Sequence, residues 1–405
     1  MTFQGSVAVH GNRSEWPETV LRSFLRQTDR TGEVDLPLLG VGLHAGVRER
    51  DNNDGRPAAS EDLSGYKIVK AGDVVMNRLG KPHGSVGVSP AHGITSPAYW
   101  VMEIDRNRAY PPFVHHLLRS KHMVREYERL GKYMPPNQFD ISWDAFRSIE
   151  VPLPPLDEQR RIADFLDAET ARIEQLMSGQ LRVLDLLEER ANSRILDLIG
   201  QSTLVKRDGA TIVPMRRVIM KLNRPVIPTD EIITAFRDGQ VTSRSIRRSE
   251  GYTLAASAEP QGQGVEVGDI VVHGLDGFAG AIGDSEACGN CSPVYHVCIP
   301  IDGGNSVFYG RLIRLLALSD YLAPFGASAR ERAVDFRNWK IFGHAPIPQA
   351  EPALQHKIAN LITKTRPLRE EVEHFNERLT ERRQVLITAV VTGQIDVTTA
   401  QGVAV

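Results

Sequence analysis

One stretch of this sequence occurs twice, and it constrains the fold more than any other feature. The first copy, Val151-Pro-Leu-Pro-Pro-Leu-Asp-Glu-Gln-Arg-Arg-Ile162, opens an amphipathic segment running to about Ile199. The second, Ala345-Pro-Ile-Pro-Gln-Ala-Glu-Pro-Ala-Leu-Gln-His-Lys-Ile358, opens another running to about Val391. Each begins with a proline-stiffened entry and continues at helical spacing for longer than an ordinary globular helix. A repeat with so long a period means two copies of a whole domain-plus-helix unit.

The register of the repeat can be followed upstream. Val267-Gly-Asp-Ile-Val271 stands 196 positions after Ala71-Gly-Asp-Val-Val75. Ala281-Ile-Gly283 follows Ser85-Val-Gly87, and Ser292-Pro-Val-Tyr295 follows Ser96-Pro-Ala-Tyr99, at the same offset. Trp339 pairs with Trp143, Gln355 with Gln159 and Ile358-Ala359 with Ile162-Ala163. Between these anchors the two halves differ freely. The resulting segments are 1–150, a first α/β domain; 151–203, a long helix; 204–344, a second α/β domain; and 345–405, a second long helix and tail.

Within the first domain, Trp16 to Arg26 reads as a short amphipathic helix. Tyr66 to Asn77 alternates apolar and polar residues around an Ala71-Gly72-Asp73 turn, the pattern of two short strands. Gly84 to Pro90 and Ser96 to Ile104 continue the sheet. Pro111 to Leu130 reads as one helix, with Phe113, Leu117, Leu118 and Val124 inward and His115, Arg119, Lys121, His122 and Arg125 outward. A loop, Gly131 to Asp140, follows.

The segment 157–199 places Ile162, Leu166, Ile173, Leu176, Leu184, Leu187, Ile195 and Leu198 on one helix face. Its 43 positions would extend about 65 Å as continuous helix. The second segment has a four-three seam: Leu354, Ile358, Leu361, Thr365, Leu368, Val372, Phe375, Leu379, Arg382, Leu386 and Ala389. Pro367 is expected to kink or split it near Thr365. Each helix needs a partner, and the economical partner is the other one. Chain geometry favours an antiparallel coiled coil with a globular unit at each end, and so internal pseudo-two-fold symmetry.

This order of elements resembles the specificity subunits of type I restriction–modification systems. The residues that carry the resemblance are Pro152-Leu-Pro-Pro-Leu-Asp-Glu-Gln159, the Asn137-x-x-x-Ile141 approach to it and the tail Leu386-Ile-Thr-Ala-Val-Val-Thr-Gly-Gln-Ile-Asp396. Pro346-Ile-Pro-Gln-Ala-Glu-Pro departs from the fuller form of the entry, although Gln355 and Ile358 keep their places. The resemblance implies two target-recognition domains, each reading one half of a split, asymmetric DNA sequence. The helices would fix the gap and dock two DNA methyltransferase subunits and, in a complete enzyme, restriction and translocase subunits. It implies no cofactor on this chain; S-adenosylmethionine, ATP and Mg would act on the partners. A coiled-coil scaffold whose terminal modules bind protein instead of DNA is the alternative.

The chemistry in the sequence fits a non-catalytic role. No G-x-x-x-x-G-K-[ST] phosphate loop occurs, and Gly80-Lys-Pro-His-Gly-Ser85 lacks the spacing. Asn-Pro-Pro-Tyr, which adenine methyltransferases use to hold a flipped base, is absent. No G-x-S-x-G elbow is present. Cys288, Cys291 and Cys298, with His273 and His296 nearby, offer only one close ligand pair, whereas structural zinc takes four ligands, usually as two pairs. Free thiols are the other reading, and a metalloenzyme built on this window is a third functional class. Three cysteines in one window of 405 residues argue against a disulfide framework and for a reducing, cytoplasmic setting. No signal peptide and no apolar run of membrane-spanning length is seen.

The net charge of −2 gives no global sign of a nucleic-acid partner, but charge is local. Lys206 to Arg248 carries ten Lys/Arg against four Asp/Glu, and the helix 157–199 carries six against ten. The first balance suits phosphate, or a solvated face; the second suits protein contact. Base readout needs polar side chains on segments that can enter the major groove. Two loops in corresponding places fit. The candidates are Lys132, Tyr133, Asn137 and Gln138 in the first, and Ser328, Arg330 and Arg332, followed by Arg337, in the second. Asn77, Arg78 and Lys81, and His273 in the second half, follow the duplicated Gly-Asp strand and form a second tier. Trp143 and Trp339 read as core packing at the domain–helix junction.

Overall fold

A computed structural model describes residues 16–42, 46–50, 62–78, 86–134, 138–204, 210–227, 231–247, 262–301, 303–330 and 333–397. The chain divides into two compact units, Met1–Ser178 with His374–Val405, and Gly179–Glu373.

The first unit opens with strand Glu18–Val20, a 3-10 turn Leu21–Ser23 and strand Leu25–Thr28. The helix expected over Trp16–Arg26 does not form. Its first residues pair antiparallel with the prolyl entry, Thr19 opposite Val151, and Leu21 N–H bonds Ile149 O at 3.0 Å. This distant partner outweighs local helical spacing. The main sheet has the spatial order 25–28, 100–104, 74–76, 86–88, all antiparallel. Strands therefore lie on both sides of the 71–73 turn, as expected, but Lys67–Val69 pairs with Gly93–Thr95 and not with Val74–Met76.

The segment expected as one helix is two, α1 (Pro111–Arg119) and α2 (Lys121–Leu130). Ser120 breaks it with extended backbone, and its Oγ accepts from Met123 N–H as the cap of α2. Phe113, Leu117 and Leu118 are buried as expected, but Met123 and Tyr127 take the core positions of α2, and Val124 is half-buried. His115 and Arg119 turn onto the sheet instead of outward. His115 Nδ1 accepts from Val88 N–H at 3.2 Å, and Arg119 Nη1 donates to Val86 O at 2.8 Å. Burial pushes the His115 pKa down to about 3. Beside it, His116 Nε2 lies 2.7 Å from Asp167 Oδ1.

Helix α3 (Trp143–Arg147) leads to the strand Glu150–Pro152 and the long α4 (Leu156–Leu204). Trp143 packs edge-on against Trp100 with centroids 5.2 Å apart. The first unit holds the start of α4 and the end of α8 (Pro352–Val391). Ile162, Ala163 and Leu166 share its core with Ile387, Val390 and Val391, and Arg383 Nη2 lies 3.0 Å from Glu174 Oε1. Early residues of one helix meet late residues of the other, so the pairing here is antiparallel.

The second unit repeats this plan. Its sheet order is 219–221, 295–300, 270–273, 282–284. Val271 stands opposite Val297 as Val75 stands opposite Val101, so the register is conserved at the 196 offset. A short α5 (Arg244–Arg247) precedes α6 (Ser306–Leu318), and α7 (Trp339–Phe342) occupies the place of α3. The strand Pro346–Ala350 pairs with Ala210–Pro214 and leads into α8. Ala191 and Ile195 of α4 share a core with Ile358 and Ile362 of α8, and Arg369 pairs with Glu188. Arg366 reaches into the domain and grips Asp284 with both Nη atoms, at 2.8 and 2.5 Å.

The helical seams differ from expectation in detail. Along α4, Ile162, Leu166, Ile173, Leu184 and Ile195 are buried, whereas Leu187 is half-buried and Leu176 is exposed; the Leu198 side chain lies outside the described residues. Along α8, Leu368 and Phe375 are exposed, and Ile362 and Ile387 are buried in place of Leu361 and Leu386. The buried face has drifted by one residue at alternate positions, because 3.6 residues per turn do not match a strict 3.5 repeat. Arg369 and Arg383 fall on it and pair with Glu188 and Glu174. The helix is not split at Pro367. Pro367 and Thr363, whose carbonyl loses its partner, are both exposed, so water can satisfy that carbonyl.

One buried histidine marks where the copies diverge. His296, at the position of Trp100, is 2% exposed and packs against Trp339 and Phe342. Its Nε2 bonds Phe336 O at 2.8 Å, while Nδ1 is buried without a partner among the described residues. Burial pushes its pKa down to about 4. The unfolded chain takes up this proton below about pH 6.5, the folded one only near pH 4. The second unit should therefore lose stability as pH falls from 6.5 toward 4, by about 2 kcal/mol at pH 5. Denaturant unfolding at pH 7.5 and pH 5 checks this, and His296→Phe should flatten the difference. An undiminished acid loss in that variant would assign it to other groups.

Candidate nucleic-acid interface

Both stretches expected as loops are hairpins. Lys132–Met134 pairs with Gln138–Asp140, and Ala327–Arg330 pairs with Ala333–Asp335. The second has an irregularity between Ser328 and Arg330. A glycine precedes each, and a Cβ there would overlap the Phe139 ring at Gly131 or the Val334 side chain at Gly326. The hairpins thus fold tightly over their own first residues.

Lys132 and Tyr133 are exposed, Tyr133 by 68%, with its ring 5.4 Å from Phe139. Asn137, Lys81 and Arg332 lie outside the described residues, as do the side chains of Gln138, Ser328 and Arg330, whose backbones lie in the hairpin strands. Asn77 and Arg78 are half-buried directly after strand Val74–Met76. Arg78 Nη1 lies 3.3 Å from Asp140 Oδ1, and its guanidinium sits over Trp100. The first hairpin and the Asn77–Arg78 turn are therefore brought together.

The second unit makes the same junction with other residues. Phe336 N–H bonds Gly274 O at 2.7 Å, which ties the second hairpin to the turn after strand Ile270–His273. His273 Nδ1 accepts from Asp276 N–H at 2.9 Å and its ring packs on Tyr295. Arg337, 56% exposed, holds Asp335 side-on. Asp140 and Asp335, not among the sequence candidates, are the acids that hold Arg78 and Arg337. An acid opposes phosphate, which hides it from a search for DNA contacts. Its recurrence at the end of both hairpins was the available signal.

Three cations of the basic stretch, Arg224, Arg237 and Arg247, pair with acids of the domain. Arg224 pairs with Asp269, copying the Arg30–Asp73 pair of the first unit. Arg237 pairs with Asp276 and Arg247 with Asp238. Arg216, Arg217 and Lys221 remain exposed, and Lys206, Arg207 and Arg248 lie outside the described residues. In the cysteine window, Cys291 and Cys298 are buried in strands and Cys288 is exposed. Burial pushes the Cys291 thiol up to about 12, far from a ready thiolate ligand. Among the described residues no group of three or more His, Cys, Asp or Glu could hold a metal ion.

Residues 85–184, which include the first hairpin, the prolyl entry and the start of α4, match the family model of the type I restriction modification DNA specificity domain. Over those 100 residues the chain is similar to that specificity domain. The match falls on the half with the fuller Leu-Pro-Pro-Leu-Asp-Glu-Gln entry. No curated protein matches the chain by sequence. The fold is shared with a chain from a structure on complex assembly and conformational transition of the type I R-M system. That likeness has a TM-score of 0.58 at 15% identity, covering 94% of this chain and 98% of that one. The chain is also similar to the HsdS subunit from Thermoanaerobacter tengcongensis, at 14% identity, TM-score 0.45 and coverages of 94% and 97%. The S subunit from M. genitalium aligns at 13% identity with TM-score 0.46, again covering 94% and 97%. Specificity subunits of this family are themselves non-catalytic. No described helix is long and apolar enough to cross a membrane.

Proposed function

We propose that the chain is the DNA-specificity subunit of a type I restriction–modification complex and recognises an asymmetric, bipartite double-stranded target. Each domain presents a hairpin with an adjoining turn, and the two differ in their polar residues, so the half-sites differ. Lys132, Tyr133, Asn137, Gln138, Asn77, Arg78 and Lys81 serve the first half-site; Ser328, Arg330, Arg332 and Arg337 serve the second. The long helices set the gap and dock two methyltransferase subunits, and restriction and translocase subunits where these are present. Methyl transfer from S-adenosylmethionine and ATP-driven, Mg-dependent cleavage then belong to the partners. The observation that carries this is the repetition of hairpin and turn in two domains whose interiors share little sequence.

Binding of the chain, co-purified with its methyltransferase partner, to duplex DNA over 50 to 200 mM salt tests it. With six or more phosphate contacts, affinity should fall by about 1,000-fold or more. A protein-binding scaffold would give no DNA-dependent signal, and that result would sink the proposal.

A further inference from the structure

Arg337 is held more firmly than a surface arginine needs to be. Its Nε lies 3.0 Å from both carboxylate oxygens of Asp335, and its Nη2 lies 2.6 Å from Oδ2. Its backbone N–H donates to Asp335 Oδ1 at 2.9 Å. Its Cγ packs over Gly274, where any Cβ would collide with it, and the preceding Phe336 N–H fixes the backbone to Gly274 O at 2.7 Å. Asp335 is itself mostly buried, whereas Arg337 is 56% exposed.

This side-on grip uses the Nε–H and one hydrogen of Nη2. It leaves the end-on pair, one hydrogen each on Nη1 and Nη2, with no other partner among the described residues. Two parallel donors in one plane match O6 and N7 of guanine in the major groove. They do not match adenine, which places a donor at N6. The carboxylate also argues against a simple phosphate contact, because it cancels the charge of Arg337 and repels a phosphate that approaches. A held guanidinium loses less rotamer freedom on binding, so more of the contact energy appears as discrimination.

We infer that Arg337, oriented by Asp335, reads a guanine in the half-site of the second domain. This rests on the DNA-specificity role proposed above. Arg337 is the specificity-determining residue and Asp335 its positioning residue.

The test uses the chain assembled with its methyltransferase partner and duplexes of its mapped target. Each guanine of the second half-site is replaced in turn by 7-deazaguanine, which keeps the base pair but lacks the N7 acceptor. The intact complex should lose about 10- to 100-fold in affinity at one guanine. Arg337→Ala should weaken binding to the natural target and abolish the 7-deaza effect there, while the slope of affinity against salt stays nearly unchanged. Arg337→Lys, which keeps the charge and the fold but not the fork, should lose most of the discrimination. Asp335→Asn should reduce discrimination and steepen the salt slope. The inference is overturned if no guanine of that half-site responds to 7-deaza substitution, or if Arg337→Ala weakens all sequences equally with a shallower salt slope. If the intact complex prefers no sequence at all, the specificity role fails as well, independently of Arg337.

Discussion

Replacing Gln159 by leucine should destabilise the first unit by about 3–5 kcal/mol, and Gln355→Leu should do the same to the second. Gln159 is fully buried. Its Oε1 accepts from Tyr110 N–H at 2.7 Å, and its Nε2 donates to Arg108 O at 3.0 Å and Pro154 O at 2.8 Å. Tyr110 caps α1, so this amide satisfies a helix-end donor that has no intrahelical partner. Gln355 accepts from Asn305 N–H, the cap of α6, at 2.9 Å, and donates to Ala350 O at 2.7 Å. In each unit one side chain therefore joins the α/β domain, the prolyl entry and the first turn of the long helix. Leucine fills the space and strands one N–H and two carbonyls in the first unit. For a unit of this size the cost corresponds to a fall in Tm of roughly 10 °C. Thermal unfolding checks it, and a shift below about 2 °C would mean that water replaces the amide.

Removing one heptad from each long helix should shorten the gap between the half-sites by about three base pairs. Seven helical residues span about 10.5 Å, and duplex DNA rises about 3.4 Å per base pair. The deletions 177–183 and 374–380 lie between the Glu174–Arg383 and Glu188–Arg369 ion pairs, so those pairs are kept. No residue of either hairpin, nor Arg78 or Arg337, is touched. The bases read should therefore stay the same.

The repeat was legible because its anchors have physical work that tolerates little change. Gln159 and Gln355 are clamps, and Asp73 and Asp269 are buried acids, each paired with a half-buried arginine. Strands around the 71–73 turn were legible from alternation, but not their partners, because pairing is set far away in the chain. The same limit turned Glu18–Val20 into a strand against Glu150–Pro152. The break at Ser120 had a local signal, a serine able to cap α2, which the apolar spacing across it concealed. The hydrophobic template also skips Arg369 and Arg383, which fall on the drifted buried face and pair with Glu188 and Glu174. Lys132 and Tyr133, chosen by residue type and position, are exposed. The grip of Asp335 on Arg337 could not be found that way, since it depends on the register of a hairpin that sequence showed only as a loop.

On the proposed function, two unlike domains read two half-sites across a gap set by the helices. Sequencing the methylated bases in DNA from cells that express this chain with its methyltransferase partner tests this. Two different half-sites separated by a fixed number of unspecified bases are expected, and the paired heptad deletion should shorten only that number. A single uninterrupted motif, or half-sites that change while the gap stays fixed, would contradict it.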